Sequence, residues 1–203
     1  MSHGALDAYR DAYARVRVER EAWAREHARA RALFGAVVNA FERLPALARA
    51  MTVQTYGDDV DAMFARATVS AQYASLDAMF VGLVEACEGL ERVATAMRRA
   101  KTDAWRRIDA MEHAPRLGGG EKVGPQPSVA ECVLGLEEMW RMHRDESALA
   151  RALTTRARTC EDAEELRTMH RLFAAQANLD PEEIRLIIDR VPVKNVESDR
   201  GRR

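Results

Sequence analysis

A repeat with alternating spacings of three and four residues is the feature that most constrains how this chain can fold. It runs without interruption through two long stretches, from Leu6 to Leu44 and from Val69 to Met111. An average spacing of about 3.5 residues keeps a narrow apolar stripe on one side of a helix, which is typical of helices that pair as coiled coils. The two stretches therefore predict two long paired helices.

The fold that follows is all-α: a long antiparallel coiled-coil helical hairpin plus a C-terminal set of shorter helices. No run of alternating apolar and polar residues indicates a strand. The first helix is predicted to run from about Ala5 to about Leu44, because Pro45 follows directly. A bent connection from Ala46 to Asp61 then leads into the second helix, and its shortness makes the two helices antiparallel.

The second half of the chain opens with a break and continues with shorter helices. Glycines and prolines predict a loop up to Pro127. Ser128 and Glu131 have the spacing of a capping box, and Asp180 is placed to cap the last helix. The predicted organisation is a helical hairpin over residues 1–114, a flexible loop over 115–127, C-terminal helices over 128–191 and a disordered tail over 192–203.

Charge and composition exclude several classes of protein. The 31 basic and 32 acidic side chains give a net charge of −1, so no strong field favours nucleic acid. No stretch approaches the roughly 20 apolar residues of a membrane helix, and Met1 to Arg10 does not resemble a signal peptide. Three widely spaced cysteines are typical of reduced thiols. We expect a soluble protein of the cytoplasm and nucleus, without membrane contact.

Residue patterns that carry chemistry are missing from the sequence. None of its histidines follows a glutamate by three positions, as in the di-iron sites of helical bundles. No C-x-x-C or H-E-x-x-H spacing occurs, and Gly118 to Gly120 lacks the lysine of a phosphate-binding loop. Cys87 lies on the apolar stripe, where a thiol usually acts as a small hydrophobe. We predict no catalytic residue, no metal, no cofactor and no enzymatic activity.

Three polar residues, Arg20, His27 and Lys101, interrupt the stripe. Long side chains can extend out of an apolar stripe and keep their charge in water, which is the preferred interpretation for Arg20 and Lys101. Alternatively, polar stripe positions select a partner and a register. For His27 both interpretations stay open, and a buried histidine there would make assembly sensitive to pH near 6.

A basic cluster on the second predicted helix raises the question of RNA binding. Its members are Arg98, Arg99, Lys101, Arg106 and Arg107. Asp103 and Asp109 interrupt the cluster, and no aromatic platform accompanies it. A solvated helix face is the simpler interpretation, so we expect no direct contact with nucleic acid, and an RNA-binding helical protein stays an alternative.

The order of parts along the chain resembles one family, the AIRIM-type ribosome maturation factors of eukaryotes. Trp23 followed by the apolar run from Leu33 to Leu44 is similar to the first helix of that family. The second long helix and the stretch Pro127-Ser128-Val129-Ala130 also match, as does the acidic turn that leads into an aliphatic helix from Leu179 to Val191. The chain departs from the family between Met142 and Leu153, which is acidic and alanine-rich.

The resemblance implies an adaptor. Family members associate with a hexameric AAA+ ATPase and a second small coiled-coil protein, and act on precursors of the large ribosomal subunit. A pre-ribosomal particle is thus a further expected partner. The aromatic residues of the stripe are most simply explained as core residues. They would bind a partner if one flank of the hairpin is open. The predicted partner-binding residues are Trp23, His27, Phe34, Phe41, Phe80, Ser128, Val129 and Trp140.

Two function hypotheses follow from different observations. The first is a non-enzymatic helical adaptor subunit of a complex with an AAA+ ATPase in large ribosomal subunit maturation. The second is a general coiled-coil scaffold or trafficking tether that associates with itself. The near-neutral charge disfavours the second, because membrane binding needs a basic surface.

Overall fold

A computed structural model of the chain describes residues 3–53, 59–110 and 127–191. No strand occurs among these residues, so the all-α prediction is confirmed. The five helices are α1 (His3–Val53), α2 (Asp59–Asp109), α3 (Val129–Ala157), α4 (Ala163–Ala175) and α5 (Pro181–Asp189).

Helix α1 is longer than predicted. It continues through Pro45 to Val53, so the predicted end at Leu44 and the bent connection from Ala46 onward are wrong for these residues. An interior proline removes one helical hydrogen bond, at a cost of about 3 kcal/mol. The next six residues, 46–51, are only alanine, leucine, arginine and methionine, which are strong helix formers. Their propensity offsets the proline.

The helix starts that the sequence predicted are confirmed by their caps. The amide of Ser128 donates to Oε2 of Glu131 at 2.8 Å, and the amide of Glu131 donates to Oγ of Ser128 at 3.2 Å. At α5, Oδ1 of Asp180 accepts from the amides of Glu182 and Glu183, each at 3.0 Å. Each cap satisfies backbone donors that the first helical turn leaves free.

The described residues divide into two compact units, and both units take segments from the long helices. Unit 1 consists of residues 3–24, 91–110, 127–146 and 178–191, and unit 2 consists of residues 25–53, 59–90 and 147–177.

Unit 1 packs α3 and α5 against the first part of α1 and the last part of α2. Two ion pairs, Arg15–Asp103 at 3.0 Å and Arg107–Asp11 at 3.1 Å, show that α1 and α2 run antiparallel here. Its apolar core is continuous along the helices. The largest fully buried side chains are Tyr9, Tyr13, Met97, Ile108, Leu136, Met139 and Ile187.

Hydrogen bonds from polar side chains to backbone carbonyls link the helices of unit 1. The hydroxyl of Tyr13 donates to the carbonyl of Cys132 at 3.1 Å. Nη2 of Arg17 donates to the carbonyls of Ile188 and Val191, each at 2.8 Å. The second pair of bonds joins α1 to the end of α5, where the Ile188 carbonyl also accepts from the amide of Val191 at 3.2 Å.

Unit 2 packs α4 and the end of α3 against the middle of the long helices. Gly89 lies beside Glu26 and Gly82 lies beside Leu33, so α1 and α2 are antiparallel here too, and the ion pair Arg29–Glu85 at 3.0 Å also joins them. Phe173 of α4 meets Phe34 of α1 edge to face, with ring centroids 5.6 Å apart. The core of this unit includes Ala30, Phe34, Val37, Leu83, Leu90, Leu166 and Phe173.

Some sequence predictions concern other parts of the chain. Gly57, most of the predicted loop over 115–127 and the predicted tail over 192–203 lie outside the described residues. The predicted domain boundaries stay predictions.

Candidate partner-binding site

The apolar stripe is covered along most of its length, but a group of stripe positions in unit 2 stays accessible. Phe41 and Leu44 of α1 and Phe80 of α2 are only partly buried, and Tyr73 of α2 is exposed. The stripe pattern is unbroken there, so the difference comes from what covers it. Helix α4 lies over the preceding stripe residues, as its Phe173 contacts show.

The accessible stripe positions line a groove with a volume of about 550 Å³. We call it the stripe groove, and it is defined by all the residues that line it. These are Phe41, Leu44, Tyr73, Leu76, Asp77, Phe80, Val81, Val84, Glu85, Ala157, Arg158 and Cys160.

The floor of the stripe groove is preformed. A buried cluster of Val37, Ala40 and Leu76 lies beneath it, and Leu44 and Phe80 pack against that cluster. Side chains that are already packed lose little conformational entropy when a partner binds. The groove can therefore accept an apolar partner without first being ordered.

The edge of the stripe groove exposes large apolar side chains to solvent. Tyr73 is 56% exposed and Val81 is 60% exposed. Exposed apolar residues are ordinary when single, but grouped around a groove they mark a binding surface. Sequence analysis missed Val81 because it lies beside the stripe; its position eight residues after Tyr73 was the available signal.

Charged side chains also border the stripe groove. Oε2 of Glu85 accepts from Nη2 of Arg29 at 3.0 Å. Asp77 and Arg158 are exposed, and Asp77 has no hydrogen bond or ion pair to any described residue. The α2 side of the groove thus carries acidic groups, one of which is available to a partner.

Three predicted partner-binding residues are buried within the units. Trp23 meets His143 edge to face at 4.9 Å between ring centroids. His27 stacks on Phe173 at 5.4 Å, and its Nε2 donates to the Phe173 carbonyl at 3.1 Å. Phe34 packs on the same phenylalanine. Their contacts are internal, so a role in partner binding stays a prediction for them.

The other predicted residues divide between the stripe groove and unit 1. Phe41 and Phe80 both line the groove. Ser128 and Val129 are buried in unit 1, where Ser128 caps α3. Trp140 lies in the same unit, partly buried. The structure therefore brings together only two of the predicted residues at an accessible apolar surface.

Trp140 is held between two cations. Nζ of Lys101 lies 4.1 Å from the centre of its ring, and the guanidinium of Arg144 lies 5.0 Å from it. Lys101 also pairs with the carboxylate of Glu137. Lys101 thus reaches out of the stripe to polar groups. Arg20 is half-buried, and burial, with a smaller contribution from Arg17, lowers the pKa of its guanidinium.

Reactive side chains in the described part of the chain are held in inert environments. Burial raises the pKa of the Cys87 thiol, which shares a hydrogen bond with the Thr154 hydroxyl at 3.3 Å. Burial also raises the pKa of Cys132 to about 12. A thiol with a raised pKa stays protonated at neutral pH and is a poor nucleophile.

Residues 3–53, 59–110 and 127–191 contain neither a candidate metal site nor a helix that could span a membrane. Within these ranges no cluster of three or more histidine, cysteine, aspartate or glutamate side chains could hold a metal ion. The helices within the same ranges include none that combines the length and apolar character needed to cross a bilayer.

The basic cluster of α2 is partly neutralised within unit 1. Nη1 of Arg107 pairs with Asp11 at 3.1 Å, and Lys101 pairs with Glu137. Arg98 and Arg99 remain exposed. Ion pairs within the cluster weaken the field that would attract phosphates. Binding of RNA through this cluster is untested.

Comparison with known proteins identifies the family. One family model, described as Ribosome biogenesis protein C1orf109-like, matches the chain over residues 4–196 of 203. The chain matches no curated protein and no solved structure. The family match confirms the resemblance noted in the sequence, because C1orf109 is AIRIM. The chain therefore belongs to the C1orf109-like family of ribosome biogenesis proteins.

Proposed function

We propose that this chain is a non-enzymatic helical adaptor that joins an AAA+ ATPase to its clients during maturation of the large ribosomal subunit. Family membership supplies the role in ribosome biogenesis. The ATPase, the second small coiled-coil protein and the pre-ribosomal particle are partners implied by the resemblance to AIRIM-type factors. Such a protein would act in the nucleus and the cytoplasm.

The stripe groove is the observation that carries the adaptor role. It combines a preformed apolar floor, partly buried aromatic side chains and two large apolar residues that are more than half exposed. Partly buried aromatic residues in a preformed pocket are the usual anchors of protein interfaces. A partner docked there gains apolar burial without any chemical step.

The mechanism of such an adaptor is positional. Two partners bound to one chain are held near each other, so the second binding event becomes intramolecular and its effective concentration rises. Long helices suit this role because burial of an apolar face stabilises them. The inert cysteines support a binding function over a catalytic one.

A matched pair of substitutions tests this proposal. Val81→Glu puts a charge into the stripe groove, and Val18→Glu puts the same charge at a valine of equal exposure (61%) in unit 1. Tagged proteins are isolated from cells at physiological salt. We expect Val81→Glu to lower the recovery of the ATPase and the small helical partner by at least about tenfold, because the charge would be desolvated on docking.

The control variant should recover both partners at the wild-type level, and both variants should melt at the wild-type temperature. Failure of the wild-type protein to recover either partner would contradict the adaptor role. A wild-type homodimer in sedimentation that Val81→Glu dissociates would favour the self-associating scaffold instead.

A further inference from the structure

The α2 side of the stripe groove carries apolar and acidic residues in alternation. Tyr73, Asp77, Val81 and Glu85 follow one another at intervals of four residues, and all four line the groove. Residues four apart form a ridge on a helix surface. Each step rises about 6 Å, so this ridge is about 18 Å long. We call these four residues the α2 ridge.

The apolar side of α2 extends beyond the α2 ridge. Met63 is also exposed and lies 18 residues before Val81. Five helical turns span about 18 residues, so both residues point to the same side of α2 and are about 27 Å apart. A surface of that length is too long for a single side chain or a small molecule, and it matches the side of another helix.

The acidic residues of the α2 ridge determine which charge a bound partner must carry. Asp77 lies between two apolar neighbours on the α2 ridge and lacks a partner among the described residues. A helix docked on Tyr73 and Val81 would remove water from the carboxylate between them. Removing a charge from water is unfavourable unless an opposite charge meets it. The occupant therefore needs a basic side chain at that point.

We propose that the stripe groove binds one amphipathic α-helix of a partner protein, whose apolar stripe is flanked by basic residues about eight positions apart. The apolar stripe contacts Tyr73, Val81 and the floor of the groove. One basic residue pairs with Asp77, and the next approaches Glu85, which it shares with Arg29. This inference rests on the proposed function and names the kind of partner that this surface selects.

A second copy of this chain is a poorer occupant. If α2 of two copies packed antiparallel about Val81, Asp77 of each copy would face Glu85 of the other, and like charges in contact are unfavourable. In neighbouring registers an acidic residue of one copy faces an apolar residue of the other. Among the described residues that line the groove, Arg158 is the one basic residue, and Asp77 and Glu85 lie about 12 Å apart along α2, too far for it to pair with both.

Photocrosslinking at the α2 ridge tests the inference. Tyr73 is replaced by p-benzoyl-phenylalanine, which keeps an aromatic ring in place, and Val18 is replaced in the same way as a control of similar exposure. The full-length protein is irradiated in cells, and crosslinked peptides are sequenced. We expect the ridge position, and not the control, to capture a segment with an apolar helical repeat and basic residues about eight positions apart.

Any other product overturns the inference. Capture of a segment of this chain, of RNA or of a peptide without those basic residues contradicts it, as does equal crosslinking from both positions. If the tagged protein still recovers the ATPase and the small helical partner in such a case, the adaptor role survives and the groove assignment alone is rejected.

Exchanging the charges of Asp77 and of the partner's basic residue tests the proposed ion pair. Asp77→Lys is expected to weaken binding of the captured partner about five- to tenfold, because attraction becomes repulsion at a desolvated position. Glu21→Lys, at an exposed site of α1 in unit 1, makes the same charge change and should leave binding unaltered. Replacing the partner's matching basic residue by aspartate should restore binding to Asp77→Lys. No restoration would contradict the pairing.

Discussion

The apolar stripe is covered to different extents in unit 1 and in unit 2. In unit 1 the stripe residues Tyr9, Tyr13 and Val16 are each only 1% exposed. In unit 2 helix α4 covers the stripe at Phe34, and the stripe residues farther along are accessible in the stripe groove. One sequence pattern therefore forms a closed core in one unit and an accessible surface in the other.

The difference shows what separates a core residue from an accessible residue in paired helices. Phe34 and Phe80 have the same side chain and the same kind of stripe position. Phe34 meets a second layer formed by α4, whereas Phe80 meets only its own cluster and the groove. The covering layer, and not the stripe, decides which aromatic residues a partner can reach.

Truncation of those two phenylalanines should give the largest difference in stability loss between the covered and the uncovered part of the stripe. Phe34→Ala is expected to lower the free energy of unfolding by about 3–5 kcal/mol, because it leaves a cavity in a closed core. Phe80→Ala should cost only about 1 kcal/mol, since part of its surface already contacts water. Chemical denaturation followed by circular dichroism measures both. Equal losses would mean that the groove is as closed as the core.

Acid should act on the closed core of unit 1 through His143. Burial lowers the pKa of His143 to about 4, against 6.5 for an ordinary histidine. Between these values the unfolded chain binds a proton that the folded protein does not, so stability decreases as the pH falls from 6.5 to about 4. The full effect corresponds to about 3 kcal/mol.

Urea denaturation of His143→Gln over the same pH range provides the measurement. Its stability should depend less steeply on pH than that of the wild type. Parallel curves for the wild type and His143→Gln would contradict the assignment.

Gly135 of unit 1 and Gly82 of unit 2 differ in how closely a neighbouring side chain approaches them, and their expected effects are the smallest. A Cβ at Gly135 would lie 2.8 Å from Cγ2 of Ile187 and closer still to the Tyr13 hydroxyl. Gly135→Ala should therefore destabilise unit 1 by about 2 kcal/mol. A Cβ at Gly82 would meet only the flexible end of Leu33 at 3.3 Å. Gly82→Ala should be neutral or stabilise by up to about 1 kcal/mol, from helix propensity.

Thermal denaturation of the two glycine variants gives the comparison directly. A melting temperature that drops for Gly135→Ala and stays or rises for Gly82→Ala supports closer helix packing at Gly135 than at Gly82. If both variants lose stability equally, this difference between the two positions is wrong.

The sequence was sufficient to predict the helices and several of their caps. Stripe spacing, the Ser128–Glu131 capping box and the Asp180 cap are local patterns that depend on nearby residues alone. The end of α1 was predicted wrongly because a single proline was given more weight than the helix propensity of the residues after it.

The position of the stripe groove could not be predicted from local patterns. The apolar face of α4, with Leu166, Met169 and Phe173, shows that α4 is buried, but it does not show which stripe residues α4 covers. Trp23, Phe34 and Phe80 occupy equivalent positions in the sequence repeat. Only the contact with α4 shows which stripe residues are covered. Tertiary packing overrides local pattern at such points, so the groove became visible only in three dimensions.

Because of Pro45, the α1 wall and the α2 wall of the stripe groove differ in their backbone hydrogen bonds. A proline has no amide hydrogen, so the carbonyl of Phe41, four residues earlier on the groove wall, lacks its usual helical donor. Bending a helix is easiest where such a bond is missing. The α1 wall is therefore easier to bend than the α2 wall, because α2 from Asp59 to Asp109 contains no proline and keeps the spacing of its acidic and apolar residues.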